Sequence, residues 1–341
     1  MTKDKVRGTF LGLAIGDSLG KPVETLPASI IQERHGEVNK YLDCCGHNCF
    51  SDALQGTWTD DTQLSLAVAR ALIANGSFDL DEIAKEHVKE FLSDVRGWGK
   101  STREAIGRIA NGTPWNQASL TDKENRGVGN GVAMKVSPIA VYMALTNPAC
   151  EQKQWKEDVE KIANMSMMTH RTSMAITSGI AHTFAVYKCL MTTPDEANNV
   201  WLQSLVRTIC GAAMIGRQIL PETLTADDIA NRFEMLHEYE NITSEEIIEK
   251  FGGGSCYVYD SLPFTYMFFL RNPHSVQSLY DCVSAGGDTD SNGSMLASML
   301  GALHGTGIFP QHLVDGLDQK EMILEVADQL YERFTNASNK S

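Results

Sequence analysis

Residues 59–72 read TDDTQLSLAVARAL, and this segment shows which type of secondary structure the chain forms. Its apolar side chains recur every three or four residues, which places them on one face of an α-helix. This stripe consists of Leu64, Ala67, Val68, Ala71 and Leu72. A second stripe with the same period consists of Met322, Ile323, Val326, Ala327, Leu330 and Phe334. Because helical periodicity recurs along most of the chain and strand-like alternation is rare, the sequence predicts an all-α fold.

Further helices are predicted wherever the same period recurs between turn residues. Their predicted positions are 4–15, 80–94, 101–111, 132–145, 155–168, 171–190, 197–218, 226–237, 244–250, 257–270, 275–284 and 290–304. The breaks between them contain turn-forming residues such as Asn75-Gly76 and Gly252–Gly254. No flexible linker or change in composition divides the chain, so residues 1–341 are predicted to form a single compact domain with a frayed tail at about 335–341.

The charge balance excludes several classes of protein. The 341 residues contain 29 Lys and Arg against 43 Asp and Glu, and the resulting net charge of −14 repels the phosphates of nucleic acids and anionic lipids. The longest apolar runs fall far short of the roughly 18 residues that a membrane-spanning helix needs. We therefore expect neither a nucleic acid nor a membrane as a partner, and a monomer is favoured.

The cysteines indicate a reducing compartment. Eight of them are scattered along the chain, which fits free thiols better than a disulfide framework. The N-terminal segment contains no convincing signal-peptide cleavage site, so the sequence predicts a cytoplasmic protein. The cluster Cys44–Cys49 matches no paired-cysteine zinc pattern, and a surface loop is its default interpretation.

Two acidic motifs carry the strongest chemical signal. In the first, Asp60 and Asp61 stand between Thr59 and Thr62 at the start of the first stripe. Such side chains can cap the free N–H groups of a helix's first turn. One carboxylate would be enough for a cap, and two adjacent ones repel each other unless a cation lies between them. The motif therefore indicates either helix capping or metal binding, and the residues alone favour neither.

The second acidic motif is GGDTDSNG, residues 286–293, again just before a predicted helix. Asp288 and Asp290 fit the first and third positions of an EF-hand calcium loop, but Met299 stands where that loop needs a bidentate glutamate. The acids are better explained as oxygen ligands gathered at a helix start. Two such helix starts together would suit a pair of hard cations such as Mg²⁺ or Mn²⁺.

Three further segments give weaker signals. Gly16–Gly20 reads GDSLG, the letters that name the GDSL esterases, but the chain contains no Asp-x-x-His partner and the helical pattern does not fit their α/β core. The loop Gly127–Gly131 could let backbone N–H groups approach a phosphate, although glycine-rich connectors are common. His170 taken alone is more often a structural histidine than a ligand.

Taken together, these segments resemble the ADP-ribosylglycohydrolase family. The matching motifs follow one another in order as Gly8–Gly20 with Glu24, Thr57–Thr62, Gly129–Met134, Thr169-His170 and Gly286–Ser291. Several motifs in order along nearly the whole chain are far more specific than any one of them. The resemblance implies an orthogonal all-α bundle with a binuclear Mg²⁺ or Mn²⁺ centre in a cleft, and it implies hydrolysis of the glycosidic bond between ADP-ribose and a protein side chain.

The resemblance also implies a role for individual residues. The implied metal ligands are Thr59, Asp60, Asp61, Asp288, Asp290 and Ser291. The implied catalytic residues are Glu24, Asp60 and Asp61, with Glu24 as the best candidate for proton transfer. The implied ADP-ribose contacts are Gly129, Asn130, Gly131, Met134, His170 and Tyr257. We therefore expect two Mg²⁺ or Mn²⁺ ions as cofactors and an ADP-ribosylated protein or an ADP-ribose conjugate as the partner.

Two departures from the family pattern bear on which linkage is cleaved. Lys100 stands where the dinitrogenase-reductase-activating members have an aspartate, and Lys135 stands where many members have arginine. A lysine cannot replace a carboxylate base, and it lacks the planar fork of a guanidinium. Arginine-linked ADP-ribose is the preferred substrate in our prediction. A small ADP-ribosyl compound or another N-glycoside is an alternative substrate, and a non-catalytic ADP-ribose-binding protein like the crystallin members is an alternative function.

Overall fold

The structure is a computed structural model that describes residues 1–43, 54–121, 126–220 and 228–338. Within these ranges the regular secondary structure is helical, with two isolated β-bridges and no strand, so the all-α prediction is confirmed. The α-helices are α1 (Lys3–Gly20), α2 (Ala28–His35), α3 (Asp60–Asn75), α4 (Leu80–Ser93), α5 (Lys100–Ala110), α6 (Ser137–Thr146), α7 (Gln152–Thr169), α8 (Ser173–Leu190), α9 (Asn199–Ile219), α10 (Ile229–Glu234), α11 (Ser244–Lys250), α12 (Val258–Arg271), α13 (Gln277–Ser284), α14 (Thr289–His304), α15 (Gln311–Gly316) and α16 (Lys320–Ser338).

Helices α1 and α14 form the central pair of the fold. The glycines Gly8, Gly12, Gly16 and Gly20 are spaced four residues apart, which puts them in one row along α1. A Cβ atom at Gly16 would lie 2.1 Å from the backbone oxygen of Gly293 in α14, so only glycine lets the two backbones approach this closely. This packing brings the C-terminal end of α1 to the start of α14, where the second acidic motif lies.

The other helices enclose this pair and position the first acidic motif beside it. Helix α3 packs against α1, α4, α6 and α16, while α14 also packs against α8, α12 and α13. Large rings of α12 fill the core, and Phe264 and Tyr266 are completely buried. Because α1 contacts both α3 and α14, the starts of α3 and α14 are held on the same side of the molecule.

Two predicted helix boundaries are wrong for identifiable reasons. Segment 132–145 is predicted as one helix, but the structure divides it into a 3-10 turn at Ala133–Lys135 and α6. Pro138 lies in the first turn of α6, where its missing N–H is tolerated, whereas inside one continuous helix over 132–145 it could not donate to the carbonyl four residues before it. Helix α1 continues to Gly20, beyond its predicted end at residue 15, because the glycine row packs against α14 up to that residue.

Other differences lie in short segments and at the tail. Helices α2 and α15 are absent from the prediction, and both are too short to show a clear period. Helix α16 continues to Ser338, so the frayed tail predicted at about 335–341 starts too early. The first residues of the predicted helix 226–237 and the cluster Cys44–Cys49 lie outside the described residues, and the single-domain organisation stays a prediction. In the part of the chain that the structure describes, no helix is long and apolar enough to cross a membrane.

Candidate active-site cleft

A cleft of about 430 Å³ opens where separated parts of the chain meet at the N-terminal ends of α3 and α14. Its lining includes Lys21, Glu24, Asp60, Asp61, Lys100, Arg126, Gly129, Asn130, Gly131, Met134, His170, Tyr257, Asp288, Asp290 and Ser291. The structure therefore brings together all but one of the residues singled out from the sequence. The exception is Thr59, which is 1% exposed and does not line the cleft.

The start of α3 is capped by a residue of α1. The carboxylate of Asp17 accepts hydrogen bonds from the backbone N–H groups and the hydroxyls of Thr59 and Thr62, at 2.6–3.0 Å. Thr59 is the N-cap residue of α3, yet its own side chain does not cap the helix. Because Asp17 satisfies the first turn from outside, α3 does not need the carboxylates of Asp60 and Asp61 as caps.

The acidic N-cap residue of α14 does not cap its helix with its side chain either. Asp288 is the N-cap residue, but its side chain makes no capping hydrogen bond. The side-chain amide of Asn130 instead donates to Asp288 Oδ2 at 2.6 Å. The hydroxyl of Ser291 donates to Asp61 Oδ2 at 3.2 Å and so connects the two acidic motifs directly. The two helix starts therefore face each other, and their carboxylates converge on the cleft.

Crowding of buried carboxylates changes their protonation. Burial raises the pKa of Asp60 to about 7, and the charges of Asp290 and Asp17 add to this rise. Burial, Asp17 and Asp290 raise the pKa of Asp61 well above its usual value, and burial and Asp290 do the same for the pKa of Asp288. Charged carboxylates in such a cluster are stable only where positive charge compensates them.

Glu24 and Lys21 lie beside this cluster. Burial raises the pKa of Glu24 to about 7; Asp290 adds to the rise, while Lys21 opposes it. The Lys21 ammonium donates a hydrogen bond to Glu24 and lies 3.4 Å from Asp290 Oδ2. Burial disfavours the charged ammonium, but Asp290 and Glu24 outweigh it and the pKa of Lys21 is raised. A lysine ammonium is therefore built into the acidic cluster.

The residues present fit a hard metal ion. Two groups of carboxylates have oxygens within 4.8 Å of one another, namely Asp17 with Asp61 and Asp290, and Glu24 with Asp288 and Asp290. Asp61 Oδ1 is buried without a hydrogen-bond partner, a costly arrangement for a carboxylate oxygen unless a cation binds it. Asp17 differs from the others because the donors of α3 already occupy both of its oxygens. We therefore regard Asp17 as a positioning residue and the other carboxylates as available ligands.

The wall next to the carboxylates consists of the glycine-rich loop that precedes Ala133. Gly129 pairs with Tyr257 in an isolated antiparallel β-bridge, which fixes the loop against the start of α12. A Cβ atom at Gly131 would lie 2.9 Å from Cε1 of His170, so glycine lets the imidazole pack against the loop. Backbone groups of the loop therefore line the cleft directly, and a ligand can approach them closely.

Two buried titratable side chains, Lys135 and His170, lie beside this loop. Lys135 is 1% exposed, and its Nζ lies 3.4 Å from the hydroxyl of Thr169, which also bonds to Nδ1 of His170 at 2.8 Å. Burial lowers the pKa of Lys135 to about 8 in spite of the opposing charge of Asp60. Burial and Lys135 lower the pKa of His170 to about 3. His170 is therefore neutral near pH 7 and can serve the cleft only as an uncharged hydrogen-bonding group.

Sequence reasoning missed Asp17 and Lys21 as site residues. Asp17 lies in the GDSLG segment, where the letters shared with the GDSL esterases, which use the serine of this motif as a nucleophile, point to Ser18 instead. Ser18 is 1% exposed and does not line the cleft, which agrees with rejecting that chemistry. The sequence did contain a sign of the role of Asp17, because it is a charged residue in the second half of α1, where the other residues are small or apolar. The signal for Lys21 was a lysine directly after the last glycine of the row.

Comparison with solved structures shows the class of fold. A structure described as an "ADP-ribosylglycohydrolase-related protein complex" matches with a TM-score of 0.70 at 23% sequence identity, and the match covers 98% of each chain. The model of the ADP-ribosylglycohydrolase family matches residues 1–340, and the chain belongs to this family.

The chain is also similar to individual proteins over most of its length. An uncharacterised protein of Archaeoglobus fulgidus is 28% identical, with 97% of each chain covered. The ADP-ribosyl-[dinitrogen reductase] glycohydrolase of Rhodospirillum rubrum is 26% identical, covering 93% of this chain and 91% of that protein. ADP-ribosylarginine hydrolase Tri1 of Pseudomonas putida is 25% identical, covering 97% of this chain and 78% of that protein. The chain is therefore an enzyme, a glycosyl hydrolase that acts on ADP-ribosylated substrates.

Proposed function

We propose that this enzyme hydrolyses, with divalent cations, the glycosidic bond between ADP-ribose and a protein side chain, preferably arginine. The observation that carries the proposal is the meeting of two acidic helix starts, joined by the hydrogen bond from Ser291 to Asp61. The preference for arginine is supported by the likeness to the ADP-ribosylarginine hydrolase. Lys100 and Arg126 line the same cleft and supply positive charge for an anionic diphosphate in an otherwise acidic protein.

Two Mg²⁺ or Mn²⁺ ions would be held by side chains of both motifs. The proposed ligands are Thr59, Asp60, Asp61, Asp288, Asp290 and Ser291. Carboxylate and hydroxyl oxygens are the donors that these hard cations prefer. When bound, the ions would supply positive charge that orients the ribose hydroxyls of the substrate and favours deprotonation of the attacking water.

The chain's own carboxylates provide the proton transfer. Glu24 faces the cleft, and its pKa of about 7 gives it both protonation states near neutral pH. A group poised in this way can take a proton from the attacking water or give one to the departing side chain. Asp60 and Asp61 act with it, because their negative charge favours the positive charge that develops on the ribose as the glycosidic bond breaks.

The wall of the cleft formed by the glycine-rich loop and the start of α12 would hold the ADP-ribose. The proposed contacts are Gly129, Asn130, Gly131, Met134, His170 and Tyr257. Asn130 is fixed by its bond to Asp288, so it can orient a bound sugar relative to the acidic cluster. His170 offers a neutral ring, and Tyr257 offers an aromatic face for a base or sugar.

The decisive experiment measures release of ADP-ribose from arginine-, serine- and cysteine-linked substrates side by side, with Mg²⁺, Mn²⁺ or excess EDTA. Release from the arginine linkage that EDTA abolishes is the expected result. Asp290→Asn should lower the rate by about 100-fold or more, because it removes a charged ligand. Asp195→Asn makes the same charge change at an exposed residue and should leave the rate unchanged.

Each part of the proposal can fail separately. Faster release from the serine or cysteine linkage would overturn the arginine preference. Unchanged release in EDTA would overturn the metal requirement. Turnover confined to a small ADP-ribosyl compound would move the function to the alternative substrate class, and tight binding of ADP-ribose without any turnover would indicate a binding protein.

A further inference from the structure

Lys21 places a positive charge inside the acidic cluster. It is 8% exposed and follows α1 as the first residue of a 3-10 turn that ends at Val23. Its Nζ donates to Glu24 Oε2 and forms an ion pair with Asp290 Oδ2 at 3.4 Å. The glycine row of α1 fixes the backbone of this turn, since a Cβ atom at Gly20 would lie 2.1 Å from the backbone oxygen of Thr289. The ammonium is therefore held at the cluster by the central helix pair.

The carboxylates that Lys21 engages belong to one of the two groups suited to a cation. That group consists of Glu24, Asp288 and Asp290, whose ligand oxygens lie within 4.8 Å of one another. A lysine ammonium and a hard divalent cation seek the same carboxylate oxygens, and two positive charges among the same three acids repel each other. Occupation of this group by one of them therefore disfavours occupation by the other.

The remaining group shares Asp290 with the first group, but its Asp61 forms no ion pair with Lys21. Asp61 Oδ1 is buried without a hydrogen-bond partner, and Asp61 accepts only the neutral hydroxyl of Ser291 at its other oxygen. Lys21 forms its ion pairs with Glu24 and Asp290. The two groups therefore differ in how close the Lys21 ammonium lies to their carboxylates, because it pairs with Glu24 and Asp290 and does not pair with Asp61.

We propose that Lys21 is a built-in competitor for one of the two cation positions. Its ammonium must withdraw from Glu24 and Asp290 before a divalent cation can bind between them. Cation binding then takes place in two unequal steps, with a tight step at the Asp61 side and a weaker, exchangeable step at the Glu24 side. Lys21 acts as a positioning residue that sets the affinity of the second step. This inference rests on the cation requirement of the proposed function.

The test is calorimetric titration of the purified full chain with Mn²⁺, without substrate, which gives the number and affinity of bound ions independently of activity. Lys21→Met keeps the length of the side chain and removes its charge, while Lys21→Arg keeps the charge. Lys3→Met removes a lysine from α1, where it pairs with Asp328 and Glu332 far along the chain, and it controls for net charge.

For the wild type we expect one tight and one weak Mn²⁺ ion. Lys21→Met should tighten the weaker step by about tenfold or more, because a competing unit charge is removed from the same carboxylates. Lys21→Arg and Lys3→Met should leave that step weak. In EDTA, Lys21→Met should also melt at a lower temperature than wild type and then gain more from added Mn²⁺, so a partly destabilised variant still gives a readout.

Three results would overturn the inference. Equal weak-step affinity in Lys21→Met and wild type would show that the lysine is only a structural ion pair. Weaker Mn²⁺ binding in Lys21→Met would show that the lysine assists the ion. Absence of Mn²⁺ binding to the wild type would overturn the inference together with the cation requirement of the proposed function, whereas the first two results leave that requirement intact.

Discussion

The backbone N–H and the hydroxyl of Thr62 both donate hydrogen bonds to the carboxylate of Asp17, at 3.0 and 2.6 Å. This contact joins the last turn of α1 to the first turn of α3. It explains why two acidic residues at the start of α3 are free to face a cleft, since the capping is done by a side chain from another helix. Asp17 therefore positions the first acidic motif without lining the cleft itself.

Replacement of Asp17 tests this positioning role. Asp17→Ala should lower the free energy of unfolding by about 2–4 kcal/mol, because it leaves buried donors of Thr59 and Thr62 unpaired. It should also weaken Mn²⁺ binding, since the turn that carries Asp60 and Asp61 is no longer fixed. Denaturant unfolding and calorimetric titration measure the two effects. Asp79→Ala removes the N-cap of α4, which bonds to Glu82 N, and should cost about 1 kcal/mol without affecting Mn²⁺.

Close packing of α1 on α14 can be tested at one glycine. Gly16→Ala should destabilise the protein by about 3 kcal/mol or more, because the new methyl group overlaps the backbone of Gly293 and the helices must separate. Gly211→Ala in α9 is the matched control, since a Cβ atom there meets nothing within 4 Å. The control should gain about 0.5–1 kcal/mol from better helix propensity. Equal unfolding free energies for the two variants would contradict the close-packing argument.

The metal-free protein should become more stable as the pH falls from about 8 to 6.5. Glu24 and Asp60 both have pKa values of about 7 in the folded protein, above their ordinary values of 4.5 and 3.8. The folded state therefore binds more protons than the unfolded state in this window, and stability is lost as the pH rises through about 7. The loss amounts to about 1 kcal/mol per carboxylate between pH 6.5 and 8. Saturating Mg²⁺ should remove or reverse this dependence, because ligand carboxylates must be charged.

Denaturant unfolding at several pH values, in EDTA and in Mg²⁺, checks this prediction. The window stops at pH 6.5 because buried histidines act in the opposite direction below it. Burial lowers the pKa of His182 to about 3. Unfolding lets this side chain take up a proton below about 6.5, so its contribution to stability falls as the medium becomes more acidic. Stability that rises from pH 6.5 to 8 in EDTA would be incompatible with the raised carboxylate pKa values.

Much of this fold and site could be read from the sequence, and the exceptions have physical reasons. The acidic motifs and the stripe beginning at Leu64 were predicted because local sequence encodes them. The role of Asp17 was not predicted because its partners lie more than 40 residues away in the chain and are reached only through helix packing. Lys21 was missed for the same reason, since its contact with Asp290 depends on the approach of α1 to α14. Short segments such as α2 lack enough residues to show a period.

The proton-transfer role of Glu24 leads to the sharpest prediction for activity. Glu24→Gln keeps the shape of the side chain but cannot exchange a proton, so kcat should fall by about 100-fold or more. Its affinity for ADP-ribose should change little, because Glu24 is not among the proposed contacts of the nucleotide. The part of the wild-type pH–rate profile that proton exchange at Glu24 sets should vanish in Glu24→Gln. Single-turnover kinetics across the pH range measure both effects, with Glu33→Gln at an exposed position of α2 as the control. A variant that retains the wild-type rate and pH profile would remove Glu24 from the chemistry and leave Asp60 and Asp61 as the carboxylates to examine.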